Sequence, residues 1–369
     1  MNQMLKFLPI VLVFVLFVCG SETALAQLPV PVPSPGVTVT QFAANMSFPR
    51  GLKFGPDGYL YVAESGPGGT ISTEGLCQQV PGPPGPGPWT GGNNGRVSKI
   101  SPTGVRTTVA DGLPSTFSVI GGEMGVADVE FYNGQLYALI AGGGCSHGHV
   151  NPAEANQVAR INSDGSYTMF ANISDFVHNN ETANPEPDDL ELDGTPYSMV
   201  SAKKNLFVVE PNHGQVIAID RNGNMSRLVD ISAIFGHIVP TAMAYHGNLY
   251  VGNLGTFPIV PGSEQIMKIT PSGNVSVVAR GLTTVLGIAF DAAGNMYALE
   301  MNDAPGFPSL GNAKIIKVRG DGSPQTIVSG LSLATAMTFG PDGALYVSNY
   351  GFGPPLGEIL KITLREISR

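Results

Sequence analysis

The residues Gly36-Val37-Thr38-Val39-Thr40-Gln41-Phe42-Ala43 form a short segment in which apolar and polar side chains alternate. Such alternation predicts a β-strand with one buried face. A strand of the same kind ends each of the first five of six repeated units that follow, whereas the sixth unit lacks one. The position of this segment therefore bears on how the chain is closed.

The repeated unit begins with an apolar strand, a tight turn and a second strand that usually has a tyrosine at its centre. The turns Gly55-Pro56-Asp57-Gly58 and Gly340-Pro341-Asp342-Gly343 contain residues that reverse a hairpin. A third strand with period-two alternation follows after a loop of variable length. The second strands read Leu60-Tyr61-Val62, Leu136-Tyr137-Ala138, Leu206-Phe207-Val208, Leu249-Tyr250-Val251, Met296-Tyr297-Ala298 and Leu345-Tyr346-Val347.

The fourth strand decides between two repeat architectures. It is present in the first five units, at residues 105–110, 166–171, 225–230, 275–280 and 324–329. The sixth unit runs to Arg369 without a copy, and residues 36–43 supply it. This pattern predicts an all-β, six-bladed β-propeller with four strands per blade, in which the N-terminal strand completes the last blade. A β-solenoid is the alternative, but it has no need of a displaced strand.

The composition agrees with many short strands and tight turns. Of 369 residues, 48 are Gly and 30 are Pro, and only 13% are charged, which argues against helical bundles. The net charge of −9 disfavours nucleic acid, because phosphate binding requires a basic face. We expect an unidentified small molecule or protein as the partner, and a monomeric chain.

The first 26 residues match a secretory signal peptide. Lys6 is followed by an apolar run at residues 7–19 and by Ala24-Leu25-Ala26 before the predicted cleavage site. The run is short for a bilayer, so we expect no transmembrane anchor; lipid attachment at Cys19 is a weaker alternative. The predicted organisation is a signal peptide over residues 1–26, a Pro-rich tether over 27–36 and a propeller over 37–369, in the periplasm or outside the cell.

Two long insertions follow the second strands of blades 1 and 2, at residues 65–94 and 141–156. In a propeller these loops share one face with the connections between blades. Cys77 and Cys145 lie in these insertions, so an exported chain is expected to join them in a disulfide. Two free thiols are the alternative.

One position, the end of the second strand, is polar in five of the six blades. Clustered oxygen ligands suit Ca²⁺ or another divalent cation, and this is the only cofactor that the sequence suggests. The alternative is that each side chain caps loop backbone or pairs with Arg50 at the same rim. The residues are Glu64, Glu210, Asn253, Glu300 and Asn349, with Ile140 in blade 2.

A ligand-binding rim is predicted around the same channel mouth. Its members are Arg50, Trp89, His147, His149, His213 and Tyr350. The pair His147 and His149 is weak evidence for a transition metal, because it lies in a Gly-rich loop. Residues 175–193 carry seven acids and no Lys or Arg; we interpret them as a solvated connector, with Ca²⁺ binding as the weaker alternative.

Several motifs resemble those of known propellers. The repeat resembles NHL and SMP-30-like six-bladed propellers, and the detail is similar to the ScyD/ScyE family of exported bacterial propellers, which are named from gene clusters for the pigment scytonemin. The resemblance covers about residues 37–363 and implies no agreed catalytic residues. The motifs are Phe48-Pro49-Arg50-Gly51-Leu52, Leu60-Tyr61-Val62-Ala63-Glu64-Ser65-Gly66, Leu113-Pro114-Ser115, Val239-Pro240-Thr241-Ala242, Phe257-Pro258 and Tyr346-Val347-Ser348-Asn349-Tyr350-Gly351-Phe352-Gly353.

These observations favour an exported binding or scaffold module over an enzyme, because no catalytic constellation is assembled by motif. The alternative is a divalent-metal-dependent hydrolase or lyase in which Glu64, Glu210 and Glu300 hold the cation at the channel mouth. The resemblance implies a third possibility, the maturation of an aromatic pigment stacked by Trp89, Tyr350 and Phe352.

Overall fold

The computed structural model describes residues 28–79, 87–188 and 190–364. The predicted signal peptide at residues 1–26 and most of the Pro-rich part of the first insertion lie outside the described residues. Within the described part, no helix is long and apolar enough to cross a membrane.

Six antiparallel sheets follow one another along the chain. Strands β1 (Val32–Pro33) and β2 (Val37–Met46) precede them. Blade 1 contains β3 (Pro49–Phe54), β4 (Leu60–Glu64), β5 (Ile71–Ser72), β6 (Thr90–Ile100), β7 (Arg106–Ser118) and β8 (Gly122–Met124). Blade 2 contains β9 (Val126–Tyr132), β10 (Gln135–Ile140), β11 (Gln157–Ile161) and β12 (Tyr167–Asn172). Blade 3 contains β13 (Ser198–Ala202), β14 (Asn205–Glu210), β15 (Gln215–Ile219) and β16 (Met225–Asp230).

The second half of the chain repeats this arrangement. Blade 4 contains β17 (Pro240–His246), β18 (Asn248–Asn253), β19 (Glu264–Ile269) and β20 (Val275–Leu282). Blade 5 contains β21 (Val285–Phe290), β22 (Met296–Glu300), β23 (Ala313–Val318) and β24 (Pro324–Leu331). Blade 6 contains β25 (Ala336–Phe339), β26 (Leu345–Asn349) and β27 (Gly357–Leu364). Helices α1 (Ile173–Asn179) and α2 (Ser232–Phe235) lie between blades, and short 3-10 turns cover Cys145–His147 and Pro152–Glu154.

Strand β2 completes blade 6, as the sequence predicts. It pairs antiparallel with β27, with Val37 opposite Leu364, Val39 opposite Ile362 and Gln41 opposite Leu360. The first strands of the blades lie innermost and contact one another in turn, and β25 contacts β3 to close the ring. The six-bladed propeller is therefore confirmed.

The core lies between the blades. Six apolar clusters are found among the described residues, and each joins two neighbouring blades. Between blades 6 and 1, for example, Leu60 and Ile100 pack with Ile359, and all three are fully buried. Each blade therefore buries its faces only when both neighbours are in place.

Two faces follow from the strand order. The upper face, as we call it, carries the loops between second and third strands and the connections between blades, and the lower face carries the hairpin turns. Both insertions and the start of each innermost strand lie on the upper face.

The Pro-rich segment predicted as a tether is bound to the outer edge of blade 5. Strand β1 pairs with β24, with Val32 opposite Ser329, and the Ser34 amide donates to the Ile327 carbonyl at 2.9 Å. Val30 and Val32 remain exposed, so the segment covers a sheet edge without entering the core.

Removing the closing strand tests the role of β2. We expect deletion of residues 28–43 to lower the melting temperature by more than about 10 °C, because blade 6 loses its outer strand and the ring opens. Deletion of residues 28–35, which removes only β1, should lower it by less than about 3 °C. Calorimetry of both proteins checks this, and equal losses would contradict the closing role of β2.

Candidate functional site

The predicted disulfide between Cys77 and Cys145 is confirmed, with an S–S distance of 2.06 Å. It joins the two insertions on the upper face. Beside it, the Thr73 hydroxyl donates to the Cys145 carbonyl at 2.5 Å and accepts from the Gln79 side chain at 2.5 Å. The insertions of blades 1 and 2 are thus one cross-linked unit.

Three predicted rim residues lie inside this unit. Trp89 and His147 are 1% and 0% exposed, and their ring centroids are 5.4 Å apart. Nδ1 of His147 lies 2.8 Å from the Gly143 carbonyl and Nε2 lies 2.8 Å from Glu191 Oε2. His149 is buried, with Nε2 3.1 Å from the Ser115 carbonyl. These side chains hold the insertions together beneath the upper face, and a direct ligand contact for them stays a prediction.

Two histidines pair with carboxylates of the acidic connector between blades 2 and 3. Glu191 pairs with His147 at 2.8 Å, and Asp193 pairs with His178 at 3.4 Å and accepts from the Ser146 hydroxyl at 2.7 Å. Glu191 and Asp193 are buried, so the interpretation of residues 175–193 as a solvated connector is wrong for these two acids. Burial is the largest single influence and lowers the pKa of His147, but Glu191, Asp193 and the hydrogen bond to the Gly143 carbonyl together raise this pKa overall.

The third histidine of the predicted rim, His213, belongs to blade 3. Its amide donates to Glu210 Oε2 at 2.8 Å and its Nδ1 lies 3.0 Å from the same oxygen. Burial opposes ionisation of Glu210, but the imidazole of His213 and backbone N–H groups hold the pKa of this carboxyl below its usual value. His213 therefore pairs with Glu210 of its own blade, while Glu191, the partner of His147, also raises the pKa of His213.

The polar residues at the ends of the second strands share one structural role. Each bonds to the loop that enters its own blade. Glu64, Glu210, Glu300 and Asn349 accept from the amides of Ser47, Thr195, Thr283 and Ser332 at 2.5, 2.9, 3.2 and 2.9 Å, and Asn253 donates to the Ile238 carbonyl at 3.0 Å.

These bonds match the capping alternative raised from the sequence. In addition, Lys314 lies 3.0 Å from Glu300 and Arg106 lies 3.3 Å from Glu64, so these carboxylates already face cations. Within the described residues, no three His, Cys, Asp or Glu side chains gather in a way that would hold a metal. A divalent cation at this rim stays a prediction that the observed bonds do not require.

Replacing Glu210 separates capping from metal binding. We expect Glu210→Ala to lower the free energy of unfolding by about 3 kcal/mol, because buried amides and the His213 imidazole lose their acceptor. The exposed Glu181→Ala should change it by less than about 0.5 kcal/mol. Urea denaturation with and without a chelator measures both effects. A stoichiometric metal in the purified protein that Glu210→Ala loses would contradict capping as the whole role.

The channel along the ring axis has a volume of about 430 Å³ and is lined by the innermost strands. Tyr197 of blade 3 reaches across its upper end, where its hydroxyl donates to the Thr335 carbonyl at 2.8 Å. Thr335 precedes the innermost strand of blade 6, on the opposite side of the ring. Tyr197 therefore spans the mouth of the channel.

Arg50, a predicted rim residue, lies over Tyr197. Its guanidinium is 5.8 Å from the Tyr197 ring centroid, and its Nε donates to the Ser65 hydroxyl at 3.0 Å. Tyr197 is absent from the rim predicted from the sequence. The sequence does contain a signal that could have identified Tyr197. Arg50 and Tyr197 each follow a proline at the start of an innermost strand, Pro49 and Pro196.

Tyr350, the last predicted rim residue, is buried near this mouth, and its amide donates to the Ser332 carbonyl at 2.8 Å. The structure thus brings Arg50 to Tyr197 and Trp89 to His147. His213 and Tyr350 belong to other blades, and their hydrogen bonds are to their own surroundings.

Asp128 of β9 lies in the channel below Tyr197. Its Oδ2 accepts from the Met199 amide at 2.7 Å and its Oδ1 from the Val129 amide at 2.8 Å. Gly51 makes the space, because a Cβ there would lie 1.9 Å from Oδ1. Burial raises the pKa of Asp128 to about 7. The channel therefore contains a carboxyl group able to gain or lose a proton near neutral pH.

The raised pKa of Asp128 makes stability depend on pH. In the unfolded chain this acid ionises near its ordinary pKa, so folding becomes less favourable as the pH rises from about 4 to about 7. We expect the stability of Asp128→Asn relative to the wild type to rise by about 2 kcal/mol between pH 4.5 and pH 8, because only the wild type has a carboxyl group to ionise there.

Urea denaturation at both pH values provides the measurement, with Asp188→Asn, at an exposed acid, as the control. A stability difference between Asp128→Asn and the wild type that is the same at both pH values would show that Asp128 titrates in its ordinary range.

Comparison with solved structures supports the architecture. The chain is similar to a gluconolactonase from Xanthomonas campestris, with a TM-score of 0.54 and 11% identity over 91% of this chain and 95% of that one. It is also similar to the soluble aldose sugar dehydrogenase of Escherichia coli, with a TM-score of 0.54 and 15% identity over 89% and 100% of the two chains. A glucose dehydrogenase gives a TM-score of 0.52 and 13% identity over 88% and 98%.

At these identities the likeness shows the fold alone, and the class of protein is the six-bladed propeller. No family model and no curated sequence matches the chain.

Proposed function

We propose that this protein is an exported binding module that holds a partner on the upper face of the propeller. The observation that supports this proposal is the placement of the exposed apolar side chains. Outside the N-terminal segment, all the large exposed hydrophobic residues of the described part lie on the upper face except Val105. The exposed hydrophobic residues on the upper face are Ile71, Leu76, Val119, Ile120, Val150, Ile234, Phe257, Val260, Phe307, Leu310 and Leu356.

Phe257 and Phe307 form a stacked aromatic pair on this face. They lie in the upper loops of blades 4 and 5, where Ile259 and Gly306 pair through a backbone bridge. The rings stack with an interplanar angle of 13° and a centroid distance of 5.7 Å, although 46% of Phe257 and 67% of Phe307 is exposed. Exposed aromatic pairs on a rigid support favour contact with an apolar or aromatic partner.

The location outside the cytoplasm is supported by two independent features. The disulfide between Cys77 and Cys145 suits an oxidising compartment, and the N-terminal sequence matches a signal peptide. The resemblance to the ScyD/ScyE family would make the partner an aromatic pigment precursor, and an aromatic surface is compatible with that expectation. The solved enzymes of similar fold add no argument for catalysis here.

Binding of the uncharged fluorescent probe N-phenyl-1-naphthylamine tests the surface. We expect Phe257→Ser combined with Phe307→Ser to weaken binding by about tenfold, because two stacking faces are lost. Val105→Ser removes an exposed apolar side chain from the lower face and serves as the matched control. If the double variant binds the probe as tightly as the wild type does, the upper aromatic pair is not the binding surface.

A further inference from the structure

The second and third strands of five blades carry a common pair. A tyrosine on the second strand lies directly opposite a basic residue on the third. The pairs are Tyr61 and Lys99, Tyr137 and Arg160, Tyr250 and Lys268, Tyr297 and Lys317, and Tyr346 and Lys361. In blades 5 and 6 the ammonium group lies over the facing ring, at 5.7 and 5.6 Å from its centroid.

Blade 3 departs from this pattern at both positions. Phe207 replaces the tyrosine and Ala218 replaces the basic residue opposite it. The long side chain that would cover the aromatic ring is therefore missing. A cavity of about 560 Å³ opens at this place between blades 3 and 4, lined in part by Phe207, Ala218, Leu228 and Pro271. This volume lies in the range of small-molecule sites.

The charge at the rim is also reversed. In blades 1, 5 and 6 the turn before the second strand provides an aspartate that accepts from the tyrosine hydroxyl, as Asp57 does from Tyr61 at 2.9 Å. In blade 3 that turn contains Lys203 and Lys204, which line the cavity. Within the described part of the chain, neither lysine forms a salt bridge.

The rest of the lining is uncharged or occupied. It includes the hydroxyl residues Ser226 and Ser272 and no acid. Arg227 also lines it, but its guanidinium already donates to Gln215 at 2.8 Å and to the Glu181 carbonyl at 2.9 Å. Two unpaired ammonium groups beside a partly exposed aromatic ring attract an anion with an apolar body, in a chain whose net charge is −9.

We propose that the cavity between blades 3 and 4 binds an amphiphilic carboxylate. The apolar body of the ligand takes the place of the missing basic side chain over Phe207, and its carboxylate lies between Lys203 and Lys204. The site is on the lower half of the ring, opposite the proposed upper binding surface, and does not depend on it.

Isothermal titration with decanoate tests this site. We expect the wild type to bind decanoate with one site per chain and Ala218→Lys, which restores the lysine found at this position in blades 1, 4, 5 and 6, to abolish binding. Lys203→Gln combined with Lys204→Gln should weaken binding by about tenfold or more, because the charged partners of the carboxylate are lost. Thr108→Lys adds the same charge at an exposed position of blade 1 and should leave binding unchanged.

Two further measurements locate the binding. Decanol, the uncharged counterpart, should bind at least about tenfold more weakly than decanoate to the wild type. The variant with Phe257→Ser and Phe307→Ser should bind decanoate as the wild type does. The proposal is overturned if the wild type does not bind decanoate, if folded Ala218→Lys binds it unchanged, or if the upper-face variant abolishes binding.

Discussion

The pairing of β2 with β27 is the constraint on which the rest of the molecule depends. Each apolar cluster lies between two blades, so every blade needs two neighbours to bury its faces. Only a closed ring gives all six blades two neighbours. The hydrogen bonds between Val37–Met46 and Gly357–Leu364 therefore stabilise contacts far from themselves, including the channel and both faces.

The upper face combines a rigid base with a varied surface. Polar residues such as Glu64 and Asn349 fix the loops that enter each blade. A disulfide and two pairs of a buried histidine with a glutamate fix the insertions of blades 1 and 2. With the backbone held in this way, Phe257 and Phe307 can stay exposed without disturbing the core. The repeated geometry lies inside and the variable chemistry lies outside, as is usual where loops carry recognition.

The fold and the disulfide could be predicted because the signals are local or periodic. Strand alternation, hairpin turns and the displaced strand at residues 36–43 need no knowledge of long-range packing. The site was harder, because Tyr197 meets Thr335 from the opposite side of the ring and Asp128 meets Gly51 of the preceding blade. Trp89 and His147 lie in loop insertions, where the sequence predicts exposed side chains. Both are buried, because the two insertions are cross-linked and pack against each other. Likewise, the missing basic residue at Ala218 is recognised only when the strand register shows which residues of the six blades are equivalent.

The strand that closes the ring also sets an order of events during synthesis. Val39 and Ile362 face each other, yet one lies near the start of the chain and the other near its end. The ribosome releases β2 before the strands of all six blades, and its partner β27 appears only after the other propeller strands have been made. Such distant pairing slows folding and leaves an unpaired edge on the nascent chain. The last step of assembly therefore awaits strand β27, and the apolar faces of blades 6 and 1 stay open until that strand has been made.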